Sequence, residues 1–293
     1  MSIKVALAGA TGNLGPAILE QLLVAGFDVT VLTRQGSDKT FDPRVHVANV
    51  DYESIDSLKH ALTGQEVVVS TLNVGVIPLA VHLRLIDAAA AVGVKRFVPS
   101  EYGCETVNPQ TAKLPVFGDK VSVQDHLKKL SQDSGLSYSL LITGPFLDWG
   151  LAHNFILNLS GPVATLYDGG DRAFSTTTLK GVGKGIVGIV NNLDATKNTV
   201  VYVEEARVSQ KELLRLSGKT LDTEVVATAD LEKAAYEELQ KPSPNPAIFA
   251  TSFIRRAIFG EGFGSLFDTS KLSNDLFGLK HLSEEELRGL VTK

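Results

Sequence analysis

Three glycines spaced by three, Gly9, Gly12 and Gly15, follow the apolar run KVALA and open a helical stretch, in the order GATGNLG. In that setting glycine lets the backbone approach a pyrophosphate, and the free N–H groups and positive dipole end of the helix face its charge. Pro16 suits the first turn, where its missing N–H costs little. A dinucleotide held by Gly9, Thr11, Gly12, Asn13, Leu14 and Gly15 is therefore expected; the alternative is a glycine turn that only packs helix on strand. A second position chooses between dinucleotides. An acid about 20 residues beyond such a loop binds the ribose hydroxyl of NAD, whereas this chain places Thr33 and Arg34 there, in VTVLTR. A planar, permanently charged guanidinium suits a phosphate, so NADP(H) is the expected cofactor, with a solvated loop charge as the other reading of Arg34. Asp51, in VDYES, either accepts from the adenine amino group or caps the following helix.

Lys120 is singled out by a helix pattern. Val116, Lys120, Val123, Leu127 and Leu130 recur at spacings of four, three, four and three, which puts this lysine on an apolar stripe and leaves Lys128 and Lys129 off it. A lysine turned inward at a helix start either snorkels to the surface or sits in a pocket where it can exchange a proton.

The elements that would position these residues alternate through the first half. Strands are predicted at Ile3 to Ala8, Asp28 to Leu32, Val45 to Ala48, Glu66 to Thr71, Arg96 to Val98 and Tyr138 to Ile142, with helices near 14 to 25, 54 to 62, 78 to 92 and 116 to 134. That order predicts an α/β fold, a Rossmann doubly wound parallel sheet with a smaller C-terminal substrate (cap) domain. The glycine-weakened stretch TTTLKGVGKGIVGIVNN predicts a helix, and TVVYV (199 to 203) one more strand of the sheet. The cofactor domain is thus expected at 1–146 plus about 176–204, and the cap at about 147–175 plus 205–293. KPSPNPAIF is predicted to be a loop between helices. FGEGFGSLF follows a helix rather than a strand, so it is expected to form a mobile flap or a packed turn and not a phosphate loop.

Composition narrows the classes of function. A formal charge of -5 with acids and bases interspersed argues against a nucleic-acid surface. No apolar run approaches the roughly 20 residues of a membrane span. The single cysteine, Cys104, excludes an intramolecular disulfide and a cysteine-built zinc site; no metal is expected, and a reducing cytoplasm is the expected setting. No secretory leader is expected from the strand-like start.

The stretches GATGNLG, VLTR, VVVSTLN and above all VKRFVPSEYG resemble the NmrA-like, isoflavone reductase-like branch of the atypical short-chain dehydrogenases. TKNTVVYVEEARVSQKELLRLSGK resembles that branch's final strand and following helix, so the likeness runs along nearly the whole chain. The resemblance implies NADPH-dependent reduction of an aromatic, often phenolic, small molecule. It also implies a lysine after an F-x-x-K pattern, here Phe117 to Lys120, in place of the usual Tyr-x-x-x-Lys pair. The expected geometry puts the nicotinamide near Thr71, Asn73, Ser100 and Tyr102 at the strands' carboxyl ends, with Lys120 as general acid/base. Tyr102 either assists by hydrogen bonding or packs within the PSEYG turn. Phe146, Trp149 and His153, just after the last N-terminal strand, are expected to form an aromatic substrate wall, His153 being equally readable as a packing residue. A dinucleotide-sensing regulator without catalysis, or an NADP-binding isomerase, dehydratase or oxidase, are the competing readings. Oligomeric state is open between monomer and homodimer.

Overall fold

The computed structural model describes residues 2–292. The first half carries strands β1 (Lys4–Ala8), β2 (Asp28–Arg34), β3 (His46–Val50), β4 (Val67–Ser70), β5 (Arg96–Val98) and β6 (Ser137–Ile142). The second half adds β7 (Val163–Tyr167), β8 (Phe174–Thr176), β9 (Thr199–Tyr202), β10 (Ala206–Val208) and β11 (Asp222–Val226). Seven of these form one parallel sheet in the order β3-β2-β1-β4-β5-β6-β9. This is the doubly wound order. Its direction of growth reverses between β1 and β4, where such sheets open a ligand crevice at the strands' carboxyl ends.

Helices cover both faces, so the central strands read as continuous apolar runs. The first four are α1 (Gly15–Val24), α2 (Ile55–Leu62), α3 (Leu79–Ala91) and α4 (Gly118–Asp133), followed by α5 (Leu147–Ala152) and α6 (Leu179–Asn191). Successive strand residues point to opposite faces: Val67, Val69 and Val98 pack toward α1 and α6, while Val68 and Phe97 pack toward α2, α3 and α4. The expected helix near 116–134 starts with a separate 3₁₀ turn, Pro115–Phe117, because Pro115 begins a tight turn and the regular helix takes over at Gly118.

The glycines that weaken α6 on paper let neighbours come close in the fold. A Cβ on Gly183 would stand 2.8 Å from the Ala17 carbonyl of α1, and one on Gly188 would fall inside the Phe277 ring. Each helical glycine costs about 1 kcal/mol against alanine, which close packing of α1, α6 and Phe277 offsets.

The remaining chain supplies α7 (Gln210–Ser217), α8 (Thr228–Leu239), α9 (Pro246–Phe259), α10 (Asn274–Phe277) and α11 (Glu284–Val291). Two small sheets, β10 with β8 and β11 with β7, went unpredicted; both pairs join segments far apart in sequence. They and the helices enclose a second core around Phe174, Leu213, Phe253 and Phe259. Its boundary differs from the expected one in two places. Cys104, Leu114 and Phe117, from the long connection after β5, join the cap core, and Phe277 and Leu279 return to pack against the α6 side of the sheet. Of KPSPNPAIF only KPSPN forms the predicted loop; Asn245 caps α9 and PAIF is that helix's first turn, with Pro246 suited to its start. FGEGFGSLF is the packed turn: Asn108 donates to the Gly262 carbonyl at 3.1 Å and Thr111 to that of Phe263 at 2.8 Å. Among the described residues no helix is long and apolar enough to cross a membrane.

Candidate functional site

The three loop glycines are glycine for different reasons. Gly9 has φ +86°, and a Cβ there would stand 2.6 Å from the Thr71 hydroxyl; one on Gly15 would stand 2.2 Å from the Gly9 carbonyl. Both are required by the protein's own packing. Around Gly12 only the Gly9 carbonyl lies near, at an ordinary 3.5 Å. Nothing in the fold forbids a side chain there, so the open space over Gly12 is available to a ligand. Thr11, Gly12 and Asn13 are exposed, and Leu14 is buried beneath them. No side chain caps α1 and no acid lies in its first turn, so the helix start keeps its N–H donors and positive dipole free for an anion. Thr71, at the end of β4, donates both its N–H and its hydroxyl to the Ala8 carbonyl, at 2.8 and 2.9 Å, which ties the two strands at the switch point.

Arg34 ends β2 exposed, and among the described residues its guanidinium has no hydrogen-bonding or ion-pairing partner. Its charge lies near the Tyr52 phenol, which burial pushes up and Arg34 pulls back down. Thr33 points inward instead, donating to the Asn49 amide oxygen at 2.7 Å. Of the two readings of Asp51, helix capping is ruled out: Ser54 caps α2, while Asp51 accepts from the Glu53 N–H at 2.9 Å and so forms the turn ahead of that cap. Of Thr33, Arg34 and Asp51 only Arg34 is exposed, and it places a cation with no side-chain partner among the described residues at the end of β2.

The other end of the crevice is built around Lys120. Its ammonium donates to the Glu101 backbone carbonyl, which draws α4 to the carboxyl end of β5. With Ser70, Ser100, His82 and Val123 it lines a narrow cleft. Asn73 is exposed in the loop after β4. Beneath the cleft the Glu101 carboxylate, 1% exposed, accepts from the Thr106 hydroxyl at 2.5 Å and the Gln124 amide at 3.2 Å. This network fixes the segment from which Lys120 takes its anchor.

His82 was not singled out by sequence. It is buried, its Nε2 has no partner, and desolvation lowers its pKa against the pull of the Ile77 backbone and Asp119. The signal was present: His82, Leu85, Ile86 and Ala89 share one buried stripe of α3, the same spacing test that picked Lys120.

Tyr102 lies elsewhere. Its ring packs with Leu7, Leu14 and Val182 on the α1 and α6 side of the sheet, and its buried hydroxyl has no partner. Burial and the neighbouring Glu101 charge push this phenol far up, and it does not line the Lys120 cleft. Burial also pushes the Cys104 thiol up to about 11, which keeps it protonated at neutral pH.

The aromatic residues after β6 form a connected row. Trp149 stacks on His153 with ring centres 4.3 Å apart and stands 6.1 Å from Phe155. The His153 Nδ1 bonds the Trp149 carbonyl at 2.8 Å, one helical turn back. Phe146 is half-buried against the core on the α6 side.

The sequence profile of the NmrA-like family matches residues 1–242. The chain is 32% identical over 250 residues to the oxidoreductase aprR of Aspergillus flavus, covering 82% of this chain and 83% of that one. It is 26% identical over 264 residues to the bifunctional pinoresinol-lariciresinol reductase of Linum perenne, covering 84% and 79%. Among solved structures, AtPrR2 with NADP+ and (+)pinoresinol superposes with a TM-score of 0.80 at 21% identity, over 99% of both chains.

Proposed function

The chain belongs to the NmrA-like family, and on that premise we propose that it is an NADPH-dependent reductase of an aromatic, phenolic small molecule in which Lys120 moves the proton. The observation that carries the proposal is the aim of Lys120. It starts α4, yet its ammonium reaches back to the Glu101 carbonyl in a cleft at the ends of β4 and β5.

In this account the backbone of Gly9 to Gly15 and the start of α1 hold the pyrophosphate, and Arg34 pairs with the 2′-phosphate. Asp51 faces the adenine half, while Thr71, Asn73 and Ser100 line the nicotinamide half. The bound cofactor supplies a hydride. Lys120 exchanges the accompanying proton with the substrate's phenol, carbonyl or imine, and the Glu101 carbonyl holds the ammonium in place meanwhile. Phe146, Trp149 and His153 offer ring faces to an aromatic substrate. The names of the relatives, an oxidoreductase and a pinoresinol-lariciresinol reductase, agree with this class of chemistry. Tyr102 is given no proton to move, since its hydroxyl is enclosed on the far side of the sheet.

The test is loss of NADPH absorbance against aromatic ketones, imines and benzylic ethers. Lys120→Ala lowers turnover about 10²- to 10⁴-fold while leaving NADPH binding intact. Full turnover in that variant overturns the role of Lys120, and tight NADPH binding with no turnover on any substrate class points instead to a sensor.

A further inference from the structure

Away from the Lys120 cleft, the cap holds a second opening of about 210 Å³ between the loop after α5 and α9, lined by Asn154, Phe155, Asn158, Thr165, Tyr167 and Arg255. Arg255 is its one cation. The guanidinium carbon sits over two rings, 5.2 Å from the centre of Phe155 and 5.1 Å from that of Tyr167. Its one hydrogen bond among the described residues is from Nε to the Phe155 carbonyl at 3.4 Å. Its neighbour Arg256 is paired with Glu232 at 2.8 Å, but no described carboxylate pairs with Arg255. The acid at the rim, Glu224, is taken up by the Thr165 hydroxyl at 2.7 Å. Both terminal nitrogens of the guanidinium are thus left without acceptors among the described residues.

The walls are fixed. Gln210, buried, donates to the Ile156 carbonyl at 2.8 Å and the Thr165 carbonyl at 3.1 Å and accepts from the Tyr167 N–H at 2.7 Å, which clamps the loop onto β7. Asn158 spends its amide oxygen on the Ser160 and Gly161 N–H groups, so its NH₂ remains a donor. Asn154, held at φ +53°, likewise has no acceptor for its NH₂ among the described residues. Three side-chain donors, Asn154, Asn158 and Arg255, thus line an opening that no carboxylate lines. One side of the opening is Phe155, whose ring continues into Trp149 and His153.

We propose that this opening binds a small aromatic carboxylate, with Arg255 taking the carboxylate and the Phe155 row taking the ring. A planar fork of N–H donors matches a planar carboxylate in bidentate fashion, and the adjacent ring faces supply the apolar half of the site. The assignment shares the Trp149 and His153 rings with the substrate wall of the reductase proposal but turns on Arg255, which that proposal does not use, so loss of the Arg255 effect leaves the reductase proposal standing.

Trp149 is the single tryptophan of the chain and lies beside this wall, so its fluorescence reports on the site in the cofactor-free protein. Benzoate is expected to change the emission saturably, and benzamide, its neutral counterpart, to bind at least about tenfold more weakly. Arg255→Gln loses benzoate by at least about tenfold, whereas Arg255→Lys, which keeps the charge without the fork, falls between. An unchanged melting temperature and NADPH affinity in either variant show that the fold is retained; if the glutamine variant does not fold, the lysine variant and the benzamide comparison decide. No saturable response to benzoate, equal binding of benzamide, unchanged benzoate binding in Arg255→Lys and Arg255→Gln, or displacement of benzoate by inorganic phosphate at a lower concentration each overturns the proposal.

Discussion

Replacing Gly12 by alanine separates a glycine kept for the fold from one kept for a ligand. The new Cβ would find only the Gly9 carbonyl, at 3.5 Å, so the protein without cofactor should keep its stability to within about 0.5 kcal/mol. A pyrophosphate lying against that backbone, however, would meet a methyl group, an overpacking cost of about 2 kcal/mol, or roughly a thirtyfold loss of affinity. At a concentration one hundred times the wild-type Kd, NADPH stabilises the wild type by about 2.7 kcal/mol; the variant, with Kd about thirtyfold higher, gains only about 0.9 kcal/mol. With roughly 2 °C of Tm per kcal/mol for a chain of this size, the ligand-induced rise in Tm should shrink from about 5 °C to about 2 °C. Gly15→Ala provides the contrast, because its Cβ would stand 2.2 Å from the Gly9 carbonyl and 2.6 Å from Ala10. That variant should lose about 1–3 kcal/mol before any ligand is added. Scanning calorimetry with and without NADPH reads both quantities. If Gly12→Ala melts early without cofactor, or shows the full wild-type rise with it, the assignment of the loop is refuted.

Two further predictions concern buried polar groups. Arg96, 2% exposed, donates to Ser137 Oγ at 2.8 Å, Ser139 Oγ at 2.7 Å and Thr196 Oγ1 at 2.8 Å, joining β5, β6 and the turn after α6; Arg96→Leu strands these acceptors and should cost about 3 kcal/mol in urea unfolding, a loss under 1 kcal/mol contradicting the network. His82 has its pKa lowered by burial, so the unfolded chain binds more protons than the folded one below the ordinary histidine pKa of about 6.5, and stability falls as pH drops through that value. His82→Leu should flatten this part of the stability curve between about pH 7 and 5, and identical slopes in variant and wild type would rule the effect out.

Much of the cofactor half was legible because its signals are local. GATGNLG sits between an apolar run and a 3.6-residue period, and the parallel strands are short, largely apolar runs bounded by turns, so the order of elements and the doubly wound sheet follow from nearest neighbours in sequence. Lys120 was found the same way, from the spacing of Val116, Val123 and Leu127. His82 carries the same spacing and was passed over, since a buried histidine reads as packing until its Nε2 is seen without a partner in the Lys120 cleft. The cap was much less legible. Its two small sheets pair β8 with β10 and β7 with β11, across about 30 and 60 residues, and such pairing leaves no local period to read.

The sequence by itself determined the glycine loop, the arginine at the end of β2 and a lysine on an apolar stripe, because each depends on residue type and spacing within one or two elements. Only the tertiary structure decided which glycine is free for a ligand, that Tyr102 faces away from the Lys120 cleft, and that Arg255 lies over two rings without a carboxylate. Those facts depend on which distant side chains fill the space around a residue. That space is set by packing between segments, and no property of the residue or its neighbours in the chain encodes it.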